Sequence, residues 1–529
     1  MFLTIHKIKV MATAISIAIG SNRESRVSGY QINKGNFNLA IPNLPQQIAI
    51  LAEANHANQG TIPLASDGVT PAPFEVTSAA QAAATFGYGS PIHHICRILF
   101  PIYSSGIGLP VVVFPQLEGS GASAWSQTLT ITGTPTTNAT HYLNVNGRES
   151  LDFQSYAVSI VSTDTDTTIA AKYVAAISAV LGAPVTAANT AGVITFTSKW
   201  FGLTANEISI TVDTNGNANG LTYAQNTATA AVGTPVLTGS FGLFGGNWYT
   251  NVINSYGYSV PATLGLLEQF NGVPDPVNPT GLWSPTVFTP FMAFFGDCKD
   301  TTVSALTAIT DAAARRSQCT NVLCPAPASS GFSWEAAANI VMLFAPKMQN
   351  TPYLDINNQS YPDMPVPVNQ VIGDESIYNN RDLLVQKGCS TVTLENGAYV
   401  VQDLVTTYHP TGEVPLQFSY CRNLNVDWNI KDAYGIAETL YVKDHVIIAD
   451  GLATSLQNAI KPSEWKADIF DLLDTMEEDG LITNAAFSKA SVQVQVDPNN
   501  PNRFNTVFNY MRTGIARIES TTVYAGFNN

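Results

Sequence analysis

The sequence predicts a mixed α/β (α+β) protein built from several domains. Its 529 residues, 45% of them hydrophobic, exceed what one ordinary core organises. Short apolar runs such as "QQIAILAE" and "PVVVFP" alternate with helical patches such as "SAAQAAATFG" and "TTVSALTAITDAAARRS", the texture of helices layered on a sheet. A central stretch, 120–236, breaks that texture: it holds only nine charged residues and is dominated by Thr and Ala, marking it as an insertion.

Residues 1–35 read as an extended arm. Ile15, Ile17 and Ile19 alternate with Ala14, Ser16 and Ala18, the period of a strand. His6, Lys7 and Lys9 precede this run as in a signal peptide, but no small-residue cleavage site follows before "SNRESR", and Met11 offers a second start. Residues 36–119 and 237–360 form a discontinuous α/β domain, in which "GSPIHHICRILF" is a helix begun by Pro91.

Within 120–236, "QTLTITG" and "HYLNVNG" are strands. "TDTDTTIAAKYVAAISAVL" is a helix capped by Asp166 or a neighbouring Thr, with Ile169, Tyr173, Ile177, Val180 and Leu181 on one apolar face. "GVITFTSKW" and "NEISITVD" complete a small β-β-α-β-β domain. Further on, "SWEAAANIVMLFA" is a helix capped by Ser333, and the Pro-rich "YPDMPVPVNQ" (361–370) opens the last domain, 361–529.

That domain starts with a helix, "IYNNRDLLVQKG", followed by "GCSTVTLENGAYVV". Here Asn396-Gly397 sits between two β-rich runs, and both residues tolerate the positive φ of a type I′ hairpin turn. A long helix lies around 425–450. Residues 463–479 form an amphipathic helix capped by Ser463, with Trp465, Ile469, Leu472, Leu473 and Met476 inward. "SVQVQVDPNNPNRFN" and "GIARIESTTVYAGF" are closing strands, the second opening into an arm at about 510–529.

The charge pattern restricts function. A formal net charge of −15 provides no basic stripe for nucleic acid. Charged residues amount to only 12%, about half the usual share, so much of the surface is neutral or covered by partners. No 18-residue uncharged apolar run crosses a membrane. The six scattered cysteines fit reduced, partly buried thiols.

Candidate chemistry is thin. Adjacent His93 and His94 point about 100° apart on a helix, so with Cys96 they fit packing better than a metal site. Cys319-x4-Cys324 lacks zinc-site spacing. Asp213, Asn215 and Asn217 imitate a calcium loop, yet Ala218 and Ala224 stand where its Gly and Glu belong. "FGLFGG" lacks the Lys-Ser/Thr of a phosphate loop, and no GxSxG or HExxH occurs. Hence no catalytic residue, cofactor or metal site is expected, and no enzyme.

The segment "NNRDLLVQKGCSTVTLENGAYVVQDLVTTY" resembles the C-terminal signature of bacteriophage contractile tail sheath proteins, particularly the Mu-like branch. Its places are held by Arg381, Leu383, Leu384, Gly388, Ser390, Thr391, Gly397 and Thr406-Thr407-Tyr408. "YCRNLNVDW" and "VKDHVIIADG", with Lys443, His445, Ala449 and Asp450, follow in the family's order, and "GGNWYTNVIN" and "SWEAAANIVM" precede it. Cys389 before the Ser-Thr, and Asn380-Arg381-Asp382 in place of Glu-Arg-Asn, depart from the pattern.

The resemblance implies a structural subunit of the virion, assembled in the host cytoplasm. Such subunits form stacked hexameric rings around a tail tube, contract from a metastable extended state, and meet baseplate and tail terminator proteins. The insertion is similar to an outward-facing variable domain of the family. The resemblance also implies a C-terminal interlocking domain whose terminal strands are exchanged between subunits. Ile15, Ile17, Ile19 and Ile518, Thr521, Thr522, Val523, Tyr524 would supply those strands, and Thr391, Val392, Thr393 and Val400 would receive them. Between 461 and 479 two lysines stand against seven carboxylates, so Asp468, Asp471, Asp474 and Glu478 are candidates to face the tube, against a plain solvated face. The alternatives are a tailocin or secretion-type sheath and, from another class, a secreted β-rich surface-layer or adhesin subunit.

Overall fold

The computed structural model describes residues 42–412, 418–452, 456 and 458–523. The expected arm 1–35, with Ile15, Ile17 and Ile19, lies outside the described residues, as does Tyr524. By its internal contacts the chain from Pro42 onward is one compact unit.

Strand β1 (Ile48–Glu53) is buried along its whole length and runs parallel to β3 (Val111–Gln116), with β2 (Phe74–Val76) antiparallel at the edge. An apolar run of this kind, without polar alternation, belongs to a strand covered on both faces. Helix α1 (Ala79–Phe86) is capped by Ser78 and α2 (Pro91–Leu99) by Ser90, with Pro91 in its first turn. Every residue of α2 is buried.

The insertion follows: β4 (Ala124–Gly133), β5 (Ala139–Val145), β6 (Ser150–Leu151), β7 (Gln154–Ser155), β8 (Ala157–Ile160), α3 (Asp166–Ala179), β9 (Val185–Thr190), β10 (Val193–Phe201), β11 (Ile210–Asp213) and β12 (Leu221–Gln225). They form two sheets, β12-β4-β10-β9 and β11-β5-β8. The expected β-β-α-β-β order thus lacks the β6–β8 segment. Its tight turn uses Asp152 and Phe153 at φ 50° and 66°, with no Gly to announce it. Thr165 caps α3 through the Thr168 amide. Ile169, Tyr173 and Ile177 face inward, whereas Leu181 lies past the helix end and is 52% exposed.

Back in the α/β layer come α4 (Thr238–Phe241), β13 (Asn251–Asn254), α5 (Ala262–Asn271), β14 (Met292–Asp297), α6 (Val303–Thr310), β15 (Asn321–Pro325) and α7 (Ser333–Asn350). The sheet order is β15-β14-β13-β1-β3-β2, parallel except for β2. Gly296 of β14 lets α7 approach: a Cβ there would lie 1.7 Å from the Ser333 carbonyl oxygen. Ser333 is the first residue of α7 rather than its cap. The capping carboxylate is Glu335, whose Oε2 accepts the Phe332 amide at 3.2 Å.

The insertion is bound to this body by ion pairs. Arg148 reaches Glu335 (2.8 Å) and Asp363 (3.1 Å), and Arg97 reaches Asp363 (2.7 Å) and Asp152 (3.4 Å). His94 contacts the Gly182 carbonyl at 2.9 Å, and His93 Nδ1 accepts the Gly89 amide at 3.1 Å. Burial holds both imidazoles below their ordinary range, so these histidines are packing groups.

The last region contains α8 (Tyr378–Gln386), β16 (Thr391–Glu395), β17 (Ala398–Asp403), α9 (Cys421–Tyr441), β18 (Val446–Ile447), β19 (Ala459–Ile460), α10 (Pro462–Glu478), β20 (Ile482–Thr483), α11 (Ala485–Ser491), β21 (Gln493–Asp497), β22 (Asn500–Val507) and β23 (Met511–Arg512). Trp465, Ile469, Leu472, Leu473 and Met476 are all buried on α10, as their spacing predicts. All six cysteines are free and buried. Among the described residues no helix is long and apolar enough to cross a membrane.

Candidate functional site

Two hairpins and one arm are the candidates for the assembly surface. In the first hairpin, β16–β17, the turn is Asn396-Gly397 at φ 51° and 75°, matching the type I′ expectation. Val392 and Tyr399 are fully buried, and the Tyr399 hydroxyl donates to the Pro327 carbonyl at 2.8 Å. The outer edge of β17 is occupied by the chain's own 358–361 segment. The Asn358 and Tyr361 amides donate to Val401 and Tyr399 (2.7 and 2.8 Å), and the Val401 amide donates to Gln359 (3.0 Å). On the other side, the Val392 amide donates to Glu375 Oε2 at 2.8 Å. Burial pushes the Glu375 carboxyl up to about 8.

Strand addition requires a free row of N–H and C=O groups. Thr391, Val392 and Val400 are buried in their own subunit, and Thr393 is half-buried. With the Val392 amide bound to Glu375 and the outer edge of β17 paired to 358–361, few main-chain groups of this hairpin are left for an added strand.

The second hairpin, β21–β22, is open. Its strands pair only with each other among the described residues. Asp497 Oδ1 closes its turn by accepting the Asn499 and Asn500 amides at 2.9 and 3.1 Å. In β21 the valines, Val494 and Val496, are half-buried, whereas Gln493 and Gln495 are exposed. Pro501 removes one donor near the tip, a common guard on an edge strand. Below it, a groove of about 490 Å³ is lined by Tyr434, Trp465, Arg503, Phe504, Thr506 and Val507, among others. The single strand expected over 491–505 is instead folded back at Asp497–Asn500. The signal for a hairpin is Asp-Pro-Asn-Asn after an alternating Val/Gln run.

The arm leaves through a series of arginine contacts. Strand β23 pairs with β20. Arg512 is paired with Asp427, which also accepts the Tyr510 hydroxyl at 3.0 Å. Buried Arg422, from the "YCRNLNVDW" motif, donates to the Tyr353 carbonyl at 2.8 Å and to the Thr513 carbonyl. Arg517 then reaches Asp355 and Asp403, with its guanidinium 3.6 Å from the Tyr420 ring centroid. Beyond it, Ile518, Thr521, Thr522 and Val523 are exposed, Ile518 by 85% and Val523 by 80%. Among the described residues no hydrogen bond joins 518–523 to the rest of the chain; Thr521 bonds only Glu519.

The acidic helix α10 begins with Pro462 after Lys461. Glu464 accepts the Lys461 amide at 3.0 Å, while the expected cap, Ser463, instead gives its amide to Asp450 at 2.9 Å. Asp471 and Glu478 are exposed. Asp468 is half-buried, and desolvation aided by Asp471 and Glu464 pushes it up to about 6. Asp474 is held by Lys489. Of the four tube-facing candidates, Asp471 and Glu478 are exposed, Asp468 is half-buried beside like charges, and Asp474 is paired with Lys489.

The Asp213–Asn217 segment is a turn, in which Asp213 Oδ1 accepts the Asn215 amide at 2.7 Å. Among the described residues no three His, Cys, Asp or Glu side chains are grouped to hold a metal ion. Fold and surface together define an α/β body, a hairpin paired only within itself among the described residues, and an anchored arm whose last described residues are exposed.

No protein-family model and no curated protein matches this chain. Among solved structures it is similar to a sheath tail protein from Desulfitobacterium hafniense, at 10% identity and a TM-score of 0.44, over 92% of this chain and 100% of that one.

Proposed function

We propose that this chain is a structural subunit of a contractile phage tail sheath, particularly of the Mu-like branch. It polymerises as stacked hexameric rings around a tube, and contraction from a metastable extended state drives the tube through the host envelope. The observation that carries this reading is the pairing, within one chain, of an unpartnered β-prone arm at 518–523 with an open-edged hairpin, β21–β22. They are the two halves of a strand-exchange joint. The ordered motifs from 377 to 450 support it: Arg381 donates to the Glu375 carbonyl at 2.6 Å, and Arg422 holds the arm's root.

The receiving strand is β22 rather than β16–β17. A strand added over five or six residues forms about five hydrogen bonds, each contributing ~0.5–1.5 kcal/mol net. One joint is modest, but many in a lattice can shear without detaching. A bias of ~1–3 kcal/mol per subunit, summed over a ring stack, drives a cooperative transition without a nucleotide. Asp471 and Glu478 on α10 face the tube in this reading, and raised salt weakens sheath–tube co-assembly.

Negative-stain imaging of the purified chain, alone and with its tube partner, checks the proposal. Hollow cylinders are expected. Compact particles that never polymerise at any concentration would remove the sheath reading.

A further inference from the structure

We infer that Arg517 is the fixed pivot of the exchanged arm: it fastens the arm's root to its own subunit and sets where the free strand begins. This inference rests on the sheath reading and adds to it a positioning residue. Three groups from separate parts of the chain converge on one guanidinium. Asp355 follows α7, and its side chain is only 3% exposed. Asp403 is the last residue of β17 and lies 3.2 Å from Nη1. The Tyr420 ring, just before α9, lies under the guanidinium plane. Planar, two-ended recognition with a stacked aromatic face is a geometry that Arg provides and Lys does not.

The contact falls at a boundary. Up to Thr513 the chain is held by β23 pairing and by Arg422. From Ile518 it is exposed and bonded only within itself. Arg517 is therefore the last fastening before the free run. Without it the free segment would start near Gly514, and a strand entering a neighbour would have four more residues of slack. Slack raises the entropy cost of placing the strand and blurs its register. Asp403 also joins the pivot to the closed hairpin, so load on the arm passes into the α/β body rather than along a loose tail.

Full-length chains carrying Arg517→Ala, Arg517→Lys or Asp403→Asn are compared with wild type and with a chain ending at Arg517. Thermolysin cleavage of unassembled subunits beside Ile515 reads the pivot directly. It should be at least about tenfold faster in Arg517→Ala, with Arg517→Lys only partly restoring resistance. The assembly threshold concentration should rise about tenfold or more in Arg517→Ala, and cylinders should be absent for the chain ending at Arg517. Wild-type cleavage rate and threshold in Arg517→Ala overturn the pivot, while the shortened chain's failure leaves the sheath reading standing. Normal cylinders from the shortened chain overturn the sheath joint itself. If Arg517→Ala loses its native near-UV signal, Asp403→Asn, which keeps the buried Asp355 contact, decides by the same two readouts.

Discussion

The hairpins β16–β17 and β21–β22 share one motif and have opposite fates. The first is closed: its side chains enter the core, one edge is paired with 358–361, and the other is met by Glu375. The second is open, pairing only within itself beside a groove. A turn signal reports that a hairpin forms. It says nothing of whether the strand edges are spent inside the subunit or left for another, since the covering groups come from distant sequence. Closed hairpins hold a subunit together, whereas open ones join it to the next.

The hardest blow to the closed hairpin is Tyr399→Ala, which empties a fully buried site and orphans the Pro327 carbonyl. Urea unfolding should show a loss of about 3–5 kcal/mol. A loss under 1 kcal/mol would mean that β16–β17 is not the internal element described.

Next comes Glu375. Burial raises its folded pKa from the ordinary 4.5 to about 8, so the folded chain keeps a proton that the unfolded chain releases. Stability therefore falls as pH rises from about 4.5 to about 8, by on the order of a few kcal/mol for this group. Glu375→Gln should flatten that share of the slope, seen as unfolding midpoints that differ less between about pH 5 and about pH 8. An unchanged slope would assign the proton to other buried carboxyls, such as Glu53, which burial also raises to about 8.

On the open hairpin, Val507 is 61% exposed and lines the groove. Val507→Asp should leave folding within about 0.5 kcal/mol of wild type, yet raise the assembly threshold about tenfold or more by placing a charge in the joint. Equal thresholds would separate the groove from assembly. The smallest effect is expected at Asp474→Asn, which removes the Lys489 pair from a half-exposed carboxylate. Thermal unfolding should register at most about 1 kcal/mol.

Local signals were legible in the sequence and long-range closures were not. Asn396-Gly397 announced its turn, and the inward face of α10 followed from spacing. Two serines read as caps were displaced, because an acid at the third helical position accepts the amide just before the helix: Glu335 for Ser333, Glu464 for Ser463. Glu335 doubles as the partner of Arg148, a contact across 187 positions that no local pattern encodes. The Asp152-Phe153 turn escaped because neither residue advertises positive φ as Gly does. Arg517 escaped likewise: its three partners sit 97 to 162 positions away, counted from Tyr420 and Asp355.

The six interior thiols have a practical consequence. Each is shielded from solvent, and desolvation drives the ionisation of every one upward, so none presents a reactive thiolate in the native subunit. A maleimide dye added to the intact subunit finds no background target. One cysteine placed at Thr522 would then carry the only label, a clean optical reporter of the arm's surroundings as subunits come together, while slow dye uptake at the native thiols would time spontaneous opening of the interior.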